Sequence, residues 1–480
     1  MAVELQTRSE VSVPADAKHQ LLIVKHFYQP FRRYRLLSDP NPNARASIEP
    51  SAEHLDGFPT INDKIFWECY FNGMVQQCVS GPEASPLFPP GTLNSFLPSL
   101  RGWIKYAHPQ HFETIRENIK AIGEDKKFRI LGDHYLHLPL PDELPESQKM
   151  WTEIGLKAFK RDLGFYPAGI WSAEQMLSKT TIGIFHSLQK PYGLEFTTAR
   201  DHQVTNSYDN PVYVPVVDDN GRQIGEFPIV HYDSRISGPY SFEGHVTDNA
   251  DNFLEEAKKD RAELRKEQGV ALTDPEIIGV GTDGELYGHH QKGRQYFAEY
   301  VSREEVLKKH GYIAFDVKKA LANPRHASSE LVDPSSWSCA HGIGRWTGQC
   351  RCGVADDYDQ EKKLELYGKT KSLEKELYGA LEITIPDWRS RFTDIVLETE
   401  REVFFEGDIY DKLNDMSGNA GLGFLADSRK RDLILAVYAH EISKLSCRMF
   451  FAGVDGLERQ LGWQNNREAE ILFGRATGIV

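Results

Sequence analysis

The sequence contains few cysteines, six in 480 residues. Small secreted domains that are held together by disulfides are much richer in this residue, so the content excludes a disulfide scaffold. Cys350 and Cys352 are separated by a single residue, which is too close for an ordinary structural disulfide. We therefore expect these thiols to be reduced or to bind a metal.

Long apolar runs are also absent, since no stretch approaches the roughly 20 residues that a membrane-spanning helix needs. The first 20 residues mix charged side chains with Pro14 and contain no apolar segment typical of a secretion signal. We predict a disordered lead over residues 1–19, and a soluble, cytoplasmic protein that has no membrane partner.

The chain has no cluster of five or more basic residues, and its formal net charge is −14. This balance disfavours nucleic acid and anionic membrane surfaces as partners. The length is sufficient for one large core and a smaller satellite. We predict a barrel domain over residues 20–355 and an α-helical C-terminal region over 356–480; the sequence leaves the oligomeric state open.

Several short apolar segments end directly in polar side chains, as buried parallel strands do where they meet an active-site loop. They are 21–24 before His26, 128–132 before Asp133, the residues before Glu174, 195–198 before Asp201, and 277–280 before Asp283. Helices are predicted between them, for example over 146–163 and 249–267. This repetition predicts a parallel α/β barrel whose site lies at the C-terminal ends of the strands.

The other segments are less regular. We predict a short strand over 64–70, a helix over 96–119 and two β-rich pieces around the turn at 218–221, while 312–315 is either a strand or a helix. Beyond residue 355 the chain is rich in Glu, Lys and Leu with helical period, and it ends in a long helix predicted over 428–451.

Two acids at predicted strand ends form the strongest candidate for an active site. Glycoside hydrolysis uses such a pair, because one carboxyl group attacks or stabilises the anomeric carbon while the other protonates the leaving oxygen. Glu174 and Asp283 are these acids, and Glu285 would support them. The alternative is structural, because acids often cap helices and an Asp before Gly often forms a turn.

Four motifs then carry a resemblance to a known family. In chain order they are HFYQP at 26–30, GDHYLHLPL at 132–140, GIWSAE at 169–174 and TDGELYG at 282–288. With its helical C-terminal part, the chain resembles glycoside hydrolase family 57, whose α-glucan-active enzymes have a seven-stranded (β/α) barrel. The motif SSWSCAHG at 335–342, with Arg345 and Trp346, is similar to that of an uncharacterised subgroup.

The resemblance implies a parallel (β/α)7-type barrel and a retaining enzyme that acts on α-linked glucan, either an amylase, a 4-α-glucanotransferase or a branching enzyme. It assigns the nucleophile to Glu174 and the general acid/base to Asp283. The second motif holds both His134 and His137, so the alignment does not decide which of them faces the sugar. Tyr28 stands where the family usually has a His. The cleaved glucosyl subsite would be lined by His26, Gln29, His137 and Trp171.

Further side chains are candidates for substrate contact, with packing as the alternative for each. They are His134, Glu285, His289, Trp337, Arg345 and Trp346. The tryptophans suit this role because the C–H faces of sugars are apolar and stack on aromatic rings.

A cysteine and histidine cluster has two interpretations. Thiolates and imidazole are ligands that bind Zn²⁺ tetrahedrally, although the one-residue gaps make it hard for both members of a pair to reach one ion. The other interpretation is a loop over the barrel mouth that holds Trp337, Arg345 and Trp346 toward substrate. We expect no cofactor other than this structural zinc. The residues are Cys339, His341, Cys350 and Cys352.

Two other functions stay open at this point. One is a metal-dependent hydrolase of the deacetylase type on a related barrel, with Asp133, His134 and His137 as ligands. It predicts activity that a chelator removes. The other is a non-catalytic protein that binds glucan and leaves it intact.

Overall fold

The computed structural model describes most of the chain. The described residues are 19–29, 33–39, 41, 45–47, 55–76, 88–207, 209–271, 275–322, 327–352, 359–405, 407–450 and 457–478. The predicted disordered lead, except for residue 19, lies outside them. The boundary predicted near residue 355 also lies outside them, so the division into domains stays a prediction.

Twelve strands occur in the described residues. They are β1 His19–Phe27, β2 Arg33–Arg35, β3 Arg45–Ser47, β4 Thr92–Phe96, β5 Ile130–Asp133, β6 Gly169–Trp171, β7 Phe196–Arg200, β8 Val212–Val217, β9 Gln223–Tyr232, β10 Glu276–Asp283, β11 Tyr312–Ala314 and β12 Ala327–Ser328. Ten of them form one sheet in the order β10-β1-β4-β5-β6-β7-β9-β8-β12, with β11 paired to β1. The pair β2 and β3 is separate and antiparallel.

Seven neighbouring strands of this sheet, from β10 through β1 to β9, are parallel and curl into a barrel. Its edges meet where the Asp233 N–H donates to the Gly279 carbonyl at 3.0 Å. The Gly279 N–H donates in return to the Asp233 carboxylate at 3.0 Å. The predicted (β/α)7-type barrel with its helical C-terminal region is confirmed, and so is the hairpin around 218–221, formed by antiparallel β8 and β9.

The barrel strands are buried on both faces, which explains their continuous apolar runs. In β1, Leu22 and Val24 pack in one core with Trp171 of β6. Leu21 and Ile23 point the other way and pack in a second core that contains residues of the surrounding helices. The strand therefore buries apolar side chains on both of its faces.

Helices surround the sheet and make up the C-terminal region. Those before residue 350 are Ile61–Ile65, the π-helical Phe66–Gln76, Pro98–Ala107, Pro109–Ala121, Lys126–Arg129, Pro145–Leu163, Lys179–Ser187, Gln189–Tyr192, Ser234–Phe242, Ala250–Glu267, Arg294–Val301, Glu304–Lys309, Val317–Ala322 and Gly344–Thr347. Those after it are Gln360–Thr384, Trp388–Phe404, Ile409–Met416, Ser428–Ser443, Ser446–Phe450 and Leu457–Thr477. None of the described helices is long and apolar enough to cross a membrane.

One predicted element was wrong, and two predicted helices are interrupted in the structure. Residues 64–70 are helical, because Phe66, Cys69 and Tyr70 share one buried face at helical spacing. The helix predicted over 96–119 is a strand that ends at Phe96, followed by two helices that each begin with a proline. The final helix predicted over 428–451 stops at 443 and restarts at 446, and a further long helix follows.

Substitution of Gly155 tests how closely a helix packs against the barrel. A Cβ on Gly155, in helix Pro145–Leu163, would overlap the Asp133 carbonyl oxygen at the end of β5. We expect Gly155→Ala to lower the free energy of unfolding by about 1–3 kcal/mol, because neither backbone can move without repacking. Urea unfolding followed by circular dichroism measures this change.

Gly379 provides the matched control. It also lies within a helix, but a Cβ there meets no atom within 4 Å apart from its chain neighbours and the backbone of its own helix. Gly379→Ala should be neutral or stabilise the protein by up to about 1 kcal/mol, because alanine has the higher helix propensity. Equal stability of the two variants would contradict the packing described for Gly155.

Candidate active site

The candidate site lies where parallel strands end at one edge of the barrel. His26 near the end of β1 is in register with Asp283 at the end of β10, and with Ser95 of β4 on the other side. Trp171 ends β6, and the chain turns directly after it through the 3-10 segment Ala173–Gln175. Strand pairing therefore brings together motifs that are far apart in the sequence.

Aromatic rings form one wall of the site. His26 stacks on Trp171, with ring centroids 4.5 Å apart, and Tyr28 stacks on His137 at 4.0 Å. The two pairs are continuous, because His26 also stacks on His137 at 5.3 Å. Trp337 meets the wall edge-on, 5.3 Å from Trp171. Trp171, His26 and His137 are buried, whereas Trp337 is half-buried, and an aromatic ring of this kind suits the apolar face of a sugar.

Glu174 occupies a backbone conformation that few residues adopt. Its φ is 53° and its ψ 21°, in the left-handed region, where a side chain other than glycine is strained. The turn holds Glu174 by both backbone and side chain: the Trp337 N–H donates to its carbonyl at 3.2 Å, and the Trp337 indole N–H donates to its Oε2 at 2.9 Å. The strained turn thus aims the carboxylate at the aromatic wall.

A second donor reaches Glu174 from the C-terminal helices. The Ser446 hydroxyl donates to Glu174 Oε1 at 3.3 Å, and its own oxygen lies 2.5 Å from His137 Nδ1. Burial raises the pKa of Glu174, whereas the hydrogen bonds from Trp337 and Ser446 and the positive charge of Arg345 lower it. The pKa of Glu174 is raised overall, because the effect of burial is larger than that of these three neighbours, which favour the ionised carboxylate.

Asp283 has different neighbours. Burial, and then the negative charges of Glu285 and Glu174, raise the pKa of Asp283 well above its usual range. Its side chain nevertheless keeps accessible surface, so solvent or a ligand reaches it even though protein surrounds it. His26 is in register with Asp283 and stacks on Trp171, three residues before Glu174, so both acids lie at the same edge of the barrel. The acidic neighbours of Asp283 favour its protonated form.

Glu285 lies beside Asp283 in a network of neutral donors. Its Oε1 accepts hydrogen bonds from Gln29 Nε2, at 2.6 Å, and from the Tyr70 hydroxyl. Both of these donors are neutral side chains. The negative charge of Glu285 raises the pKa of Asp283.

Comparison with known proteins gives a result for the fold alone. No family model matches the sequence, and no curated protein is similar to it. Among solved structures, a maltose-forming exo-type amylase from Pyrococcus sp. ST04 matches with a TM-score of 0.64 at 12% identity, over 96% of this chain and 80% of that one. A branching enzyme of glycoside hydrolase family 57 from Pyrococcus horikoshii matches with a TM-score of 0.52 at 13% identity, over 96% and 88%.

The α-amylase AmyC from Thermotoga maritima gives a similar result, with a TM-score of 0.52 at 12% identity over 96% of this chain and 94% of that one. The fold is that of glycoside hydrolase family 57. The structural neighbours include a branching enzyme of that family, in agreement with the predicted resemblance.

With this fold in place, the structure separates the predicted site residues into two groups. His26, His137, Trp171, Glu174 and Trp337 meet at one wall, with Arg345 close enough for its charge to act on Glu174. Gln29 bonds Glu285, whose charge acts on Asp283, and Asp283 is in register with His26 of the wall. Sequence reasoning missed Tyr70 and Ser446, because no local motif marks a residue that reaches the site from another element.

Three candidates take other positions. His134 is buried, and its Nε2 accepts from the Ala173 N–H at 3.2 Å, so it supports the turn of Glu174 while His137 faces the wall. Trp346 is buried in a core that includes Cys339 and Cys350 and does not join the aromatic wall. His289 bonds Glu68 at 2.5 Å through Nδ1.

One group of side chains in the described residues has the geometry of a metal site. Single ligand atoms of Cys339, His341, Cys350 and Cys352 all lie within 4.8 Å of one another. The ligand set of the deacetylase interpretation, Asp133, His134 and His137, does not form such a group within the described chain. That interpretation therefore has no support from the geometry.

Proposed function

We propose that the protein is a retaining glycosidase or glucanotransferase that acts on α-linked glucan, with Glu174 as nucleophile and Asp283 as general acid/base. One observation carries the proposal: two carboxyl groups lie at one barrel mouth with different neighbours, which are hydrogen-bond donors and a cation for Glu174 and other acids for Asp283. Burial raises the pKa of both groups, and the difference between their neighbours suits separate nucleophile and acid roles. The amylases and the branching enzyme among the structural neighbours favour a glucan as substrate.

In the first step, the Glu174 carboxylate attacks the anomeric carbon while protonated Asp283 donates its proton to the leaving glycosidic oxygen. A covalent glycosyl-enzyme forms, and Asp283 is left ionised. In the second step, ionised Asp283 takes a proton from water or from a sugar hydroxyl, which attacks the intermediate and releases Glu174. Attack by water gives hydrolysis, and attack by a sugar hydroxyl gives transfer.

The other residues of the wall bind and orient the sugar. Burial lowers the pKa of His26 to about 3, so its imidazole is neutral at neutral pH. A neutral ring can stack on Trp171 and bond Ser95 through Nδ1, at 2.6 Å, without placing a charge beside the cleaved bond. Trp337 and Ser446 donate hydrogen bonds to the two oxygens of the Glu174 carboxylate. The carboxylate is therefore already ordered, and it loses less conformational freedom when the reactive geometry forms.

Incubation with maltooligosaccharides of one length, followed by chromatographic separation of the products, tests this function. Shorter products alone indicate hydrolysis, and a mixture of shorter and longer products indicates transfer. Either result supports the proposal, provided that the products released first have the α-configuration by NMR. Unchanged maltooligosaccharide, or maltooligosaccharide that binds without turnover, would contradict it.

A further inference from the structure

A loop next to the candidate site brings four metal-binding side chains together. Cys339 Sγ lies 3.5 Å from Cys350 Sγ, and His341 Nδ1 lies 3.1 Å from Cys352 Sγ. All four ligand atoms lie within 4.8 Å of one another. Three sulfurs and one imidazole nitrogen are thus close enough to one another to be the four ligands of a single zinc ion, which binds such ligands tetrahedrally.

The fold of the loop explains why one-residue gaps do not prevent this convergence. After His341 the chain forms the short helix Gly344–Thr347, and Gly348 ends it with a φ of 80°. The N–H groups of Gln349 and Cys350 then donate back to the Gly344 carbonyl at 2.8 and 3.2 Å. The chain reverses, so the second pair of ligands faces the first.

We propose that Cys339, His341, Cys350 and Cys352 bind one structural zinc ion. In a tetrahedral zinc site, sulfurs are about 3.8 Å apart and nitrogen and sulfur about 3.5 Å apart, because Zn–S is about 2.3 Å and Zn–N about 2.0 Å. The loop needs only small side-chain movements to reach these values. Three soft thiolates with one imidazole match zinc better than they match magnesium, calcium or manganese.

A disulfide between Cys339 and Cys350 is the competing interpretation. It would require the two sulfurs to approach from 3.5 Å to about 2.05 Å. It would also leave the convergence of His341 and Cys352 on the same point without a role. Zinc uses all four side chains, and the disulfide uses two.

The zinc would hold the segments that contact Glu174. Cys339 follows Trp337 by two residues, and its core includes Met176, two residues after Glu174, and Met449, three residues after Ser446. Trp337 and Ser446 are the donors to the Glu174 carboxylate. Zinc content itself does not depend on the proposed function, so the two proposals can fail separately.

Elemental analysis of the full chain, purified under reducing conditions without added metal or chelator, tests the proposal. We expect about one zinc per chain. His341→Cys should keep the metal, because four thiolates also bind zinc. His341→Ala and Cys352→Ser should each lose most of it. These two side chains are the least buried of the four, so the variants should fold. Cys447→Ser, a cysteine outside the cluster, should retain the zinc.

Cobalt gives a second readout on the same chain. Cobalt added to chelator-treated protein should produce the absorption bands of a tetrahedral thiolate complex, weaker in His341→Ala and absent in Cys352→Ser. Less than about a tenth of an equivalent of zinc, together with no cobalt spectrum, would overturn the proposal. So would an intact mass that shows a Cys339–Cys350 disulfide in freshly purified protein.

Discussion

Glu174→Gln should lower the turnover of maltooligosaccharide by about 10⁴-fold or more, the scale on which loss of a nucleophile acts. Glutamine has the same shape, and its side-chain oxygen can still accept the hydrogen bond from the Trp337 indole. It cannot form a glycosyl ester, because an amide is a poor nucleophile. The loss should therefore appear in kcat, with little change in KM, when reducing ends or released oligosaccharides are measured.

Glu195→Gln is the matched control. Glu195 directly precedes β7 at the N-terminal end of the barrel, which is the end opposite the candidate site, and its side chain is exposed. We expect wild-type turnover from this variant. Turnover of Glu174→Gln within tenfold of wild type, with Glu195→Gln unchanged, would remove Glu174 from the nucleophile role.

Asp283→Asn should lower kcat by about 10²–10⁴-fold, the usual contribution of a general acid. Burial and the charges of Glu285 and Glu174 raise the pKa of Asp283, and protonated Asp283 is the reactive form in the first step. The rate should therefore fall as the pH rises through that pKa. This fall is the alkaline limb of the pH–rate profile, and Asp283→Asn should lack it. The variant should retain more activity on a substrate whose leaving group needs no proton, such as a nitrophenyl maltoside, than on maltooligosaccharide.

Glu285→Gln tests the cause of the raised pKa. Removing the negative charge of Glu285 stabilises ionised Asp283, so the pKa of Asp283 should fall and the alkaline limb of kcat/KM should move to lower pH. Glu68→Gln removes a charge that pairs with Lys292 and His289, and it should leave that limb in place. A limb that stays at the same pH in Glu285→Gln would show that Glu285 does not act on Asp283.

Sequence-based prediction succeeded for the elements that a short local pattern of residues marks, and it failed for those without such a pattern. The strands that end near His26, Asp133, Glu174 and Asp283 were predicted because each is a short apolar run that stops at a polar residue. Strand β4 was missed, since its sequence TLNSF contains three polar residues, all buried in the structure. Its Asn94 amide bonds Thr92 Oγ1 at 2.9 Å and the Arg129 carbonyl at 3.3 Å, which is how a polar side chain is tolerated in a core.

Hydrophobic periodicity and the short motifs, which depend only on neighbouring residues, were sufficient to predict the barrel class and to select the two acids as candidates. The environment of each acid was not predictable in this way. Glu174 receives its donors from Trp337 and Ser446, which are 163 and 272 residues away along the chain. Contacts across such separations form only when the barrel, the loop and the C-terminal helices pack together. That packing, which no local sequence signal encodes, places donors around Glu174 and other acids around Asp283.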